Sequence, residues 1–226
     1  IGWCLLNHTE TEHLTRRTPT PAPQKTELPP RHTSKTSDVH VNLLLQSHNL
    51  ETLKKQLSGS KREYLFKQLE RQLSGINTLY NGQIIEASGQ QLMIKFSDTD
   101  TSNACFRAIC AAQLLFQLQV DAKGLQLEYS AAVVPSEDSK LLSEQMRYSA
   151  LLHQAQTQLQ THSARRLVLN TQHQGGNQLE QRLQLHPMDG GNWIEIEALQ
   201  PGYQALLNKQ VKQLQQMLGD EEQTSG

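Results

Sequence analysis

The chain has 226 residues, of which 36% are hydrophobic, and this is enough for one buried core with tails that need not fold. The 21 Lys and Arg residues are balanced by 22 Asp and Glu residues, which gives a net charge of -1. The protein therefore has no overall positive electrostatic field that would attract nucleic acid. The three cysteines lack metal-ligand spacing and fit a reducing compartment, and Cys105 and Cys110 lie in a helical pattern, where cysteine is usually a small buried hydrophobe.

Residues 1–17 are predicted to form an N-terminal tail. The tail opens with the apolar stretch IGWCLL, and Arg16 and Arg17 follow it. Because the chain starts at Ile1 rather than Met, we expect a longer protein, in which this stretch is the end of a transmembrane helix. The rest of the chain then lies on the cytoplasmic face of a membrane, the inner membrane in a bacterium. The alternative is a sticky tail or cloning residue on a cytoplasmic protein.

Residues 18–37 are predicted to be a flexible linker, because they are rich in Pro, Thr, Ser and charge and contain almost nothing apolar to bury. The short stretches PAPQ and ELPPRH are an alternative, as ligands for a partner domain, although a spacer is the more common use of this composition. One folded domain is expected over 38–218, and a disordered polar tail over 219–226.

The first half of the folded domain is predicted to contain a buried strand over Val39–Gln46 and a helix that has Asn49 as its N-cap. A break at Gly59-Ser60 precedes a long amphipathic helix, whose apolar residues step by three or four from Leu65 to Tyr80. A turn then leads into two strands, QIIEAS and QLMIKFS, which form a hairpin. An apolar helix follows, and its small residues let it lie close to a sheet.

The second half is predicted to continue with a strand ending at Pro135 and a Gln-rich helix over Leu141–Leu159. A short strand, RRLVLN, leads to a hairpin in which the strands NQLEQRLQLHPM and NWIEIEAL flank Asp189-Gly190-Gly191. The last helix starts at Pro201 and ends near Leu218. This order predicts an α+β fold in which helices pack on a mixed, mostly antiparallel sheet.

The stretch INTLYNGQIIEASGQQLMIKF, Ile76 to Phe96, resembles the class III adenylyl/guanylyl cyclase catalytic domain. The family has a helix, a turn, a strand, a Gly-Asp tip and an apolar strand ending in Phe in this region. The resemblance covers about Val39–Leu218 and is strongest over Ile76–Leu118. It implies the ferredoxin-like, cyclase-type α/β sandwich. Diguanylate cyclase domains share a related core, but their hairpin carries acidic residues that this hairpin lacks.

The resemblance also implies where metal ligands belong. In the family, an Asp at the end of the first strand and an Asp at the hairpin tip bind two divalent metal ions, which position the triphosphate and neutralise developing charge. The corresponding residues here are Gln46 and Gln90. Hard cations prefer anionic oxygen ligands, and a glutamine offers a neutral carbonyl. We therefore expect no metal or cofactor at these positions. Lys95, on the return strand, is a candidate to face any nucleotide pocket that survives.

The family places an Asn and a charge-stabilising Arg on the helix after the fourth strand. That helix contains no Asn here, Arg147 falls a turn or more from the expected position, and His153 is the nearest candidate by apolar phase. A neutral His does not replace a guanidinium. Three required features are thus missing together, and the resemblance is to a degenerate member with no catalytic residue.

Three functional hypotheses follow. The favoured one is a catalytically inactive cyclase-homology domain that acts as a homodimerising or partner-binding regulatory module, anchored to a membrane upstream. The second is a sensor that binds a purine nucleotide without turnover through Gln46, Gln90 and Lys95.

The third hypothesis is an active cyclase with rearranged ligands, for which Asp98, Asp100 and Glu86 are the available carboxylates. Metal chemistry needs carboxylates at defined positions, and the SDTD stretch before a helix is more typical of N-capping.

Overall fold

The computed structural model describes residues 38–118, 126–136, 142–161, 164–171, 177–188 and 192–224. The predicted tail (1–17), the predicted linker (18–37) and the Asp189-Gly190-Gly191 turn lie outside the described residues. The described residues belong to one unit, Thr36–Gly226.

Seven strands form a single sheet in the order β2-β3-β1-β4-β5-β7-β6, and among the described pairs only β4 and β5 run parallel. The strands are β1 (Val39–Ser47), β2 (Gly82–Ser88), β3 (Gln91–Asp98), β4 (Tyr129–Pro135), β5 (Leu167–Asn170), β6 (Leu183–Pro187) and β7 (Trp193–Leu199). The helices are α1 (Leu50–Gln56), α2 (Gly59–Tyr80), α3 (Thr101–Gln117), α4 (Leu142–Thr161), α5 (Asn177–Glu180) and α6 (Pro201–Thr224). The predicted α+β fold with a mostly antiparallel sheet is confirmed.

Strand β1 is buried on both faces, as its apolar run predicted. Leu43 and Leu45 belong to the larger core, which also contains the buried residues of α2, α3 and α6. Leu44 points to the opposite face and belongs to a second cluster with residues of α4, including Leu151 and Ala155. The sheet is therefore covered on both sides at β1, which is buried from Val41 to Ser47.

Helix α3 packs closely on the sheet because its inner face carries small side chains. These residues are fully or almost fully buried: Ala104, Ala108, Ala111 and Ala112. Cys105 and Cys110 are also buried in this helix. Burial raises the pKa of each thiol to about 12, so both are protonated at neutral pH and act as small hydrophobes, as predicted.

The break between the first two helices lies earlier than predicted. We expected it at Gly59-Ser60, but α2 begins at Gly59 and Ser58 holds its N-cap position. Asn49 does occupy the N-cap position of α1, yet its side chain makes no capping hydrogen bond. Its Nδ2 instead donates to the carbonyl of Gln126 at 2.6 Å, and its Oδ1 accepts from the amide of Glu128 at 3.0 Å. Asn49 thus joins the end of β1 to the segment before β4.

Two further elements differ from the prediction. The NQLE stretch that we expected in a strand forms the short helix α5, and β6 starts only at Leu183. Helix α6 continues to Thr224 instead of ending near Leu218, so the predicted polar tail is helical over most of its length. No helix in the described part of the chain is long and apolar enough to cross a bilayer.

Gly82, the first residue of β2, lies where a side chain does not fit. A Cβ added there would lie 2.8 Å from Ile94 Cγ2 and 2.9 Å from Phe96 Cε1, and both partners are buried. We expect Gly82→Ala to lower the free energy of unfolding by about 1–3 kcal/mol, because a packed core resists extra volume. Urea unfolding of the whole chain, followed by circular dichroism, measures this change.

Gly59→Ala is the control, since a Cβ at Gly59 would meet nothing within 4 Å. It should leave the free energy of unfolding unchanged or raise it by up to about 1 kcal/mol. Equal stability of the two variant proteins would contradict the close packing of β2 on β3.

Candidate functional site

The end of β1 lies against the tip of the β2–β3 hairpin. Gln46 pairs with Gln91 of β3 on one side and with Ser130 of β4 on the other. The amide of Ser47 donates to the carbonyl of Gln90 at 2.8 Å. The register of the sheet therefore brings the two residues at the family's metal-ligand positions, Gln46 and Gln90, into direct contact.

The Gln46 side chain is held from several directions. It is only 6% exposed. Its Nε2 donates to Gln90 Oε1 at 3.2 Å and to the carbonyl of Ser47 at 3.0 Å, which uses both amide hydrogens. Its Oε1 accepts from Gln91 Nε2 at 3.0 Å. Two consecutive residues of the hairpin thus hold the two ends of one buried amide.

The contacts extend to α4. Gln156 Nε2 donates to Gln91 Oε1 at 3.2 Å. Four amides are therefore linked in sequence, from Gln156 through Gln91 and Gln46 to Gln90. We call this set the glutamine chain. Sequence reasoning missed Gln91 and Gln156. The one available signal for Gln156 was its spacing from Tyr148 and Leu152, which places all three residues on the sheet-facing side of α4.

This arrangement does not fit a pair of divalent cations. Both amide hydrogens of Gln46 point at neighbouring oxygens, and its carbonyl already accepts a hydrogen bond. The cluster carries no negative charge, whereas Mg²⁺ and Mn²⁺ bind through carboxylates and other hard oxygens. Among the described residues, no group of three or more His, Cys, Asp or Glu side chains is placed to hold a metal ion.

Lys95 belongs to a different part of the same face. It pairs with Asn42 of β1 and Gln83 of β2. With a rise of about 3.3 Å per residue, it lies about 13 Å along β3 from Gln91. Asn42 Nδ2 donates to the hydroxyl of Tyr148 on α4, while the buried Asn42 Oδ1 accepts no hydrogen bond within the described residues. The structure therefore separates Lys95 from the other two candidates.

The α4 candidates face away from the site. Arg147 and His153 are both exposed on the outer side of the helix, whereas Tyr148 and Gln156 are the half-buried residues that reach the sheet. Neither Arg147 nor His153 can therefore place a cation beside the glutamine chain.

The alternative carboxylates serve the start of α3. Asp100 accepts from the amide of Ser102 at 2.8 Å and caps the helix, as predicted. Asp98 accepts from Arg107 Nη2 at 2.9 Å. Asp98 pairs with Val39, at the opposite end of β1 from Gln46. The carboxylate of Glu86 is exposed on β2, a strand at the edge of the sheet. Asp98 and Asp100 thus lie away from the glutamine chain, whereas Glu86 pairs with Met93, two residues from Gln91.

A hydrogen-bonded pair adjoins the glutamine chain on its other side. His48 Nε2 lies 2.8 Å from Ser130 Oγ, and that hydroxyl donates to the carbonyl of Leu159 in α4 at 3.3 Å. For the serine hydroxyl to donate to the helix, His48 must donate to the serine through Nε2. The end of β1 is thus joined to α4 on both sides of Gln46.

No protein-family model and no curated protein matches the chain. Solved structures do match. The dimeric guanylyl cyclase domain of the RhoGC fusion protein from the fungus Blastocladiella emersonii aligns with a TM-score of 0.53 at 9% identity, over 73% of this chain and 97% of that chain. The fold is that of a nucleotide cyclase catalytic domain.

Two other cyclases support the same assignment. The adenylyl cyclase CyaB from P. aeruginosa aligns with a TM-score of 0.51 at 12% identity, over 73% of this chain and 97% of that chain. The guanylate cyclase domain of RhGC from Catenaria anguillulae, solved with GTP, aligns with a TM-score of 0.50 at 9% identity, over 73% of this chain and 100% of that chain. The cyclase-type fold expected from the resemblance is confirmed, and identities this low establish the fold alone.

Proposed function

We propose that this cyclase-homology domain is catalytically silent and acts as a dimerising or partner-binding regulatory module. The observation that carries the proposal is the contact between Gln46 and Gln90, whose neutral amides hydrogen-bond to each other at 3.2 Å. In the family resemblance, these two positions hold the metal-binding aspartates.

The chemistry of cyclisation supports this proposal. Phosphoryl transfer depends on positioning and on neutralising the charge that spreads over the phosphoryl oxygens. Metal ions and an Arg supply that neutralisation in the family. Here the ligand positions are amides, and Arg147 is exposed on the far side of α4. This supports the proposal, because neither of the two usual means of stabilising the transition state lies at this site among the described residues.

The second candidate is a sensor that binds a purine nucleotide without turnover. One observation favours it, namely the polar group formed by Asn42 and Tyr148 next to Lys95, with the buried Asn42 Oδ1 open to a donor. Gln46 does not contribute to this candidate site, because both of its amide hydrogens are engaged within the protein.

Two experiments on the whole chain test both candidates. The first is calorimetric titration with ATP and GTP, with Mn²⁺ or Mg²⁺ present and absent. The second is an assay for cyclic-nucleotide product. We expect neither metal-dependent heat nor product, since no carboxylate lies at either ligand position. The guanylyl cyclase domain of RhoGC, assayed in parallel, is the positive control.

Turnover above the no-protein blank would refute the silent domain. Binding without metal and without turnover, if lost in Lys95→Ala, would establish the sensor instead.

We also propose that the domain forms a homodimer through its α4 side. The resemblance implies a self-complementary surface, and the RhoGC cyclase domain has been solved as a non-canonical dimer and as a monomer. Met146 on α4 is 66% exposed, although it is a large apolar residue. A charge there would oppose burial against a second copy.

We expect Met146→Glu to weaken self-association about tenfold, equivalent to about 1.4 kcal/mol, in sedimentation equilibrium. Met217→Glu is the matched control, because Met217 is 61% exposed on α6, which packs on the opposite face of the sheet. A monomeric parent protein, or equal weakening by both substitutions, would reject an α4-side dimer.

The proposal places the domain at the cytoplasmic face of a membrane, anchored upstream. Its support is the apolar IGWCLL stretch followed by Arg16 and Arg17. At about 3.1 Å per residue, an extended Pro-rich linker of about 20 residues reaches at most about 60 Å, which permits tethering but transmits little torque.

Membrane fractionation of cells expressing the full-length natural protein tests the anchor. We expect the protein in the membrane pellet after a high-salt wash, and a version that starts at Asp38 in the supernatant. Recovery of both proteins in the supernatant would rule the anchor out.

A further inference from the structure

The glutamine chain connects parts of the molecule that are distant in sequence. Gln156 lies on α4, Gln91 and Gln90 lie on the hairpin, and Gln46 lies on β1. All three hydrogen bonds run in one direction, since each amide donates to the next. Such aligned chains polarise each other, and each bond is stronger while its neighbours are intact.

We propose that the glutamine chain is a latch that makes the β2–β3 hairpin and α4 open and close as one unit. Most of α4 rests on the sheet through apolar side chains, including Leu151, Ala155 and Leu159. Apolar contacts carry little directional preference, so they permit small shifts of the helix. Two hydrogen bonds, from Asn42 to Tyr148 and from Ser130 to the Leu159 carbonyl, tie α4 to the central strands, and the bond from Gln156 to Gln91 ties it to the hairpin.

Burial makes partial opening of the latch costly. If α4 lifts, Gln91 loses the donor from Gln156, and its own bond to the buried Gln46 weakens. If Gln91 then moves away, Gln46 keeps an unsatisfied carbonyl in a position that water barely reaches. The intermediate states are therefore less favourable than the fully closed or fully open state, which is the condition for cooperative motion. This inference depends on contacts within the chain and is independent of catalysis.

Hydrogen–deuterium exchange of the whole chain, read by mass spectrometry, tests the latch in Gln156→Leu. The substitution is on α4, but we expect amide exchange in the hairpin, residues 82–98, to become about five- to tenfold faster. Gln154→Leu is the matched control, because Gln154 lies on the exposed side of the same helix, and it should leave hairpin exchange unchanged.

If Gln156→Leu fails to fold, Gln156→Glu replaces it. This variant keeps the size of the side chain and cannot donate to Gln91 at neutral pH, so it should also accelerate hairpin exchange. Equal hairpin exchange in the position-156 variant and the Gln154→Leu control would overturn the latch.

A double-mutant cycle gives an independent test, because Gln46 and Gln156 are linked through Gln91. We expect the effect of the double variant Gln46→Leu/Gln156→Leu on the folded-to-unfolded ratio to differ about threefold from the product of the two single effects. The cycle that combines Gln46→Leu with Gln154→Leu should be additive. Additivity in both cycles would show that the four amides do not act as a unit and would also overturn the proposal.

Discussion

Strand β1 is covered on both faces, and this burial controls what its polar residues can do. Asn42, Gln46 and Ser47 are all buried within it. A buried polar group costs free energy unless it is hydrogen-bonded, and a buried charge costs much more unless it is paired. A carboxylate at position 46 would therefore depend on a bound cation. Glutamine needs only partners from the protein, and Gln90, Gln91 and the Ser47 carbonyl supply them.

The same constraint explains why the two middle members of the cluster, Gln46 and Gln91, are amides. An amide both donates and accepts, so amides can be linked in a chain of any length, whereas an ionised carboxylate only accepts. A carboxylate at position 91 would still accept from Gln156, but it would have nothing to donate to Gln46. Gln46 and Gln91 must therefore both be amides, since each donates and accepts, whereas within the chain Gln90 only accepts and Gln156 only donates. Gln46 and Gln90 are therefore better understood as members of one hydrogen-bonded network than as two separate positions.

The sequence predicted most of the fold because its signals were local. The apolar run of β1, the periodicity of α2 and the hairpin around Gly89 each depend on neighbouring residues, and the family pattern placed Gln46 and Gln90 at the same site. The errors concern short or long-range features. Helix α5 has too few residues to show a helical period, and the side chain of Asn49 binds a segment that is distant along the chain.

Gln91 and Gln156 were missed for the same reason. They are 65 positions apart, and the position of Gln156 on the sheet-facing side of α4 does not indicate which residue it contacts. Only the register of β1 on β3 and the docking of α4 reveal that their amides meet. The resemblance can therefore assign Gln46 and Gln90 to the metal-ligand positions, but the fold is needed to show what their side chains contact.

The proposed regulatory module, which works through its surface, benefits from the glutamine chain. The hairpin tip and α4 both border the site, so a partner that docks on this side would contact both. Bound metal ions or nucleotide would fix their relative position only while the ligand was present. No member of the glutamine chain titrates or needs a ligand, so it holds the two elements together over a wide range of pH and of metal and nucleotide concentration. The surface that the proposed regulatory function requires is in this way a property of the folded chain itself.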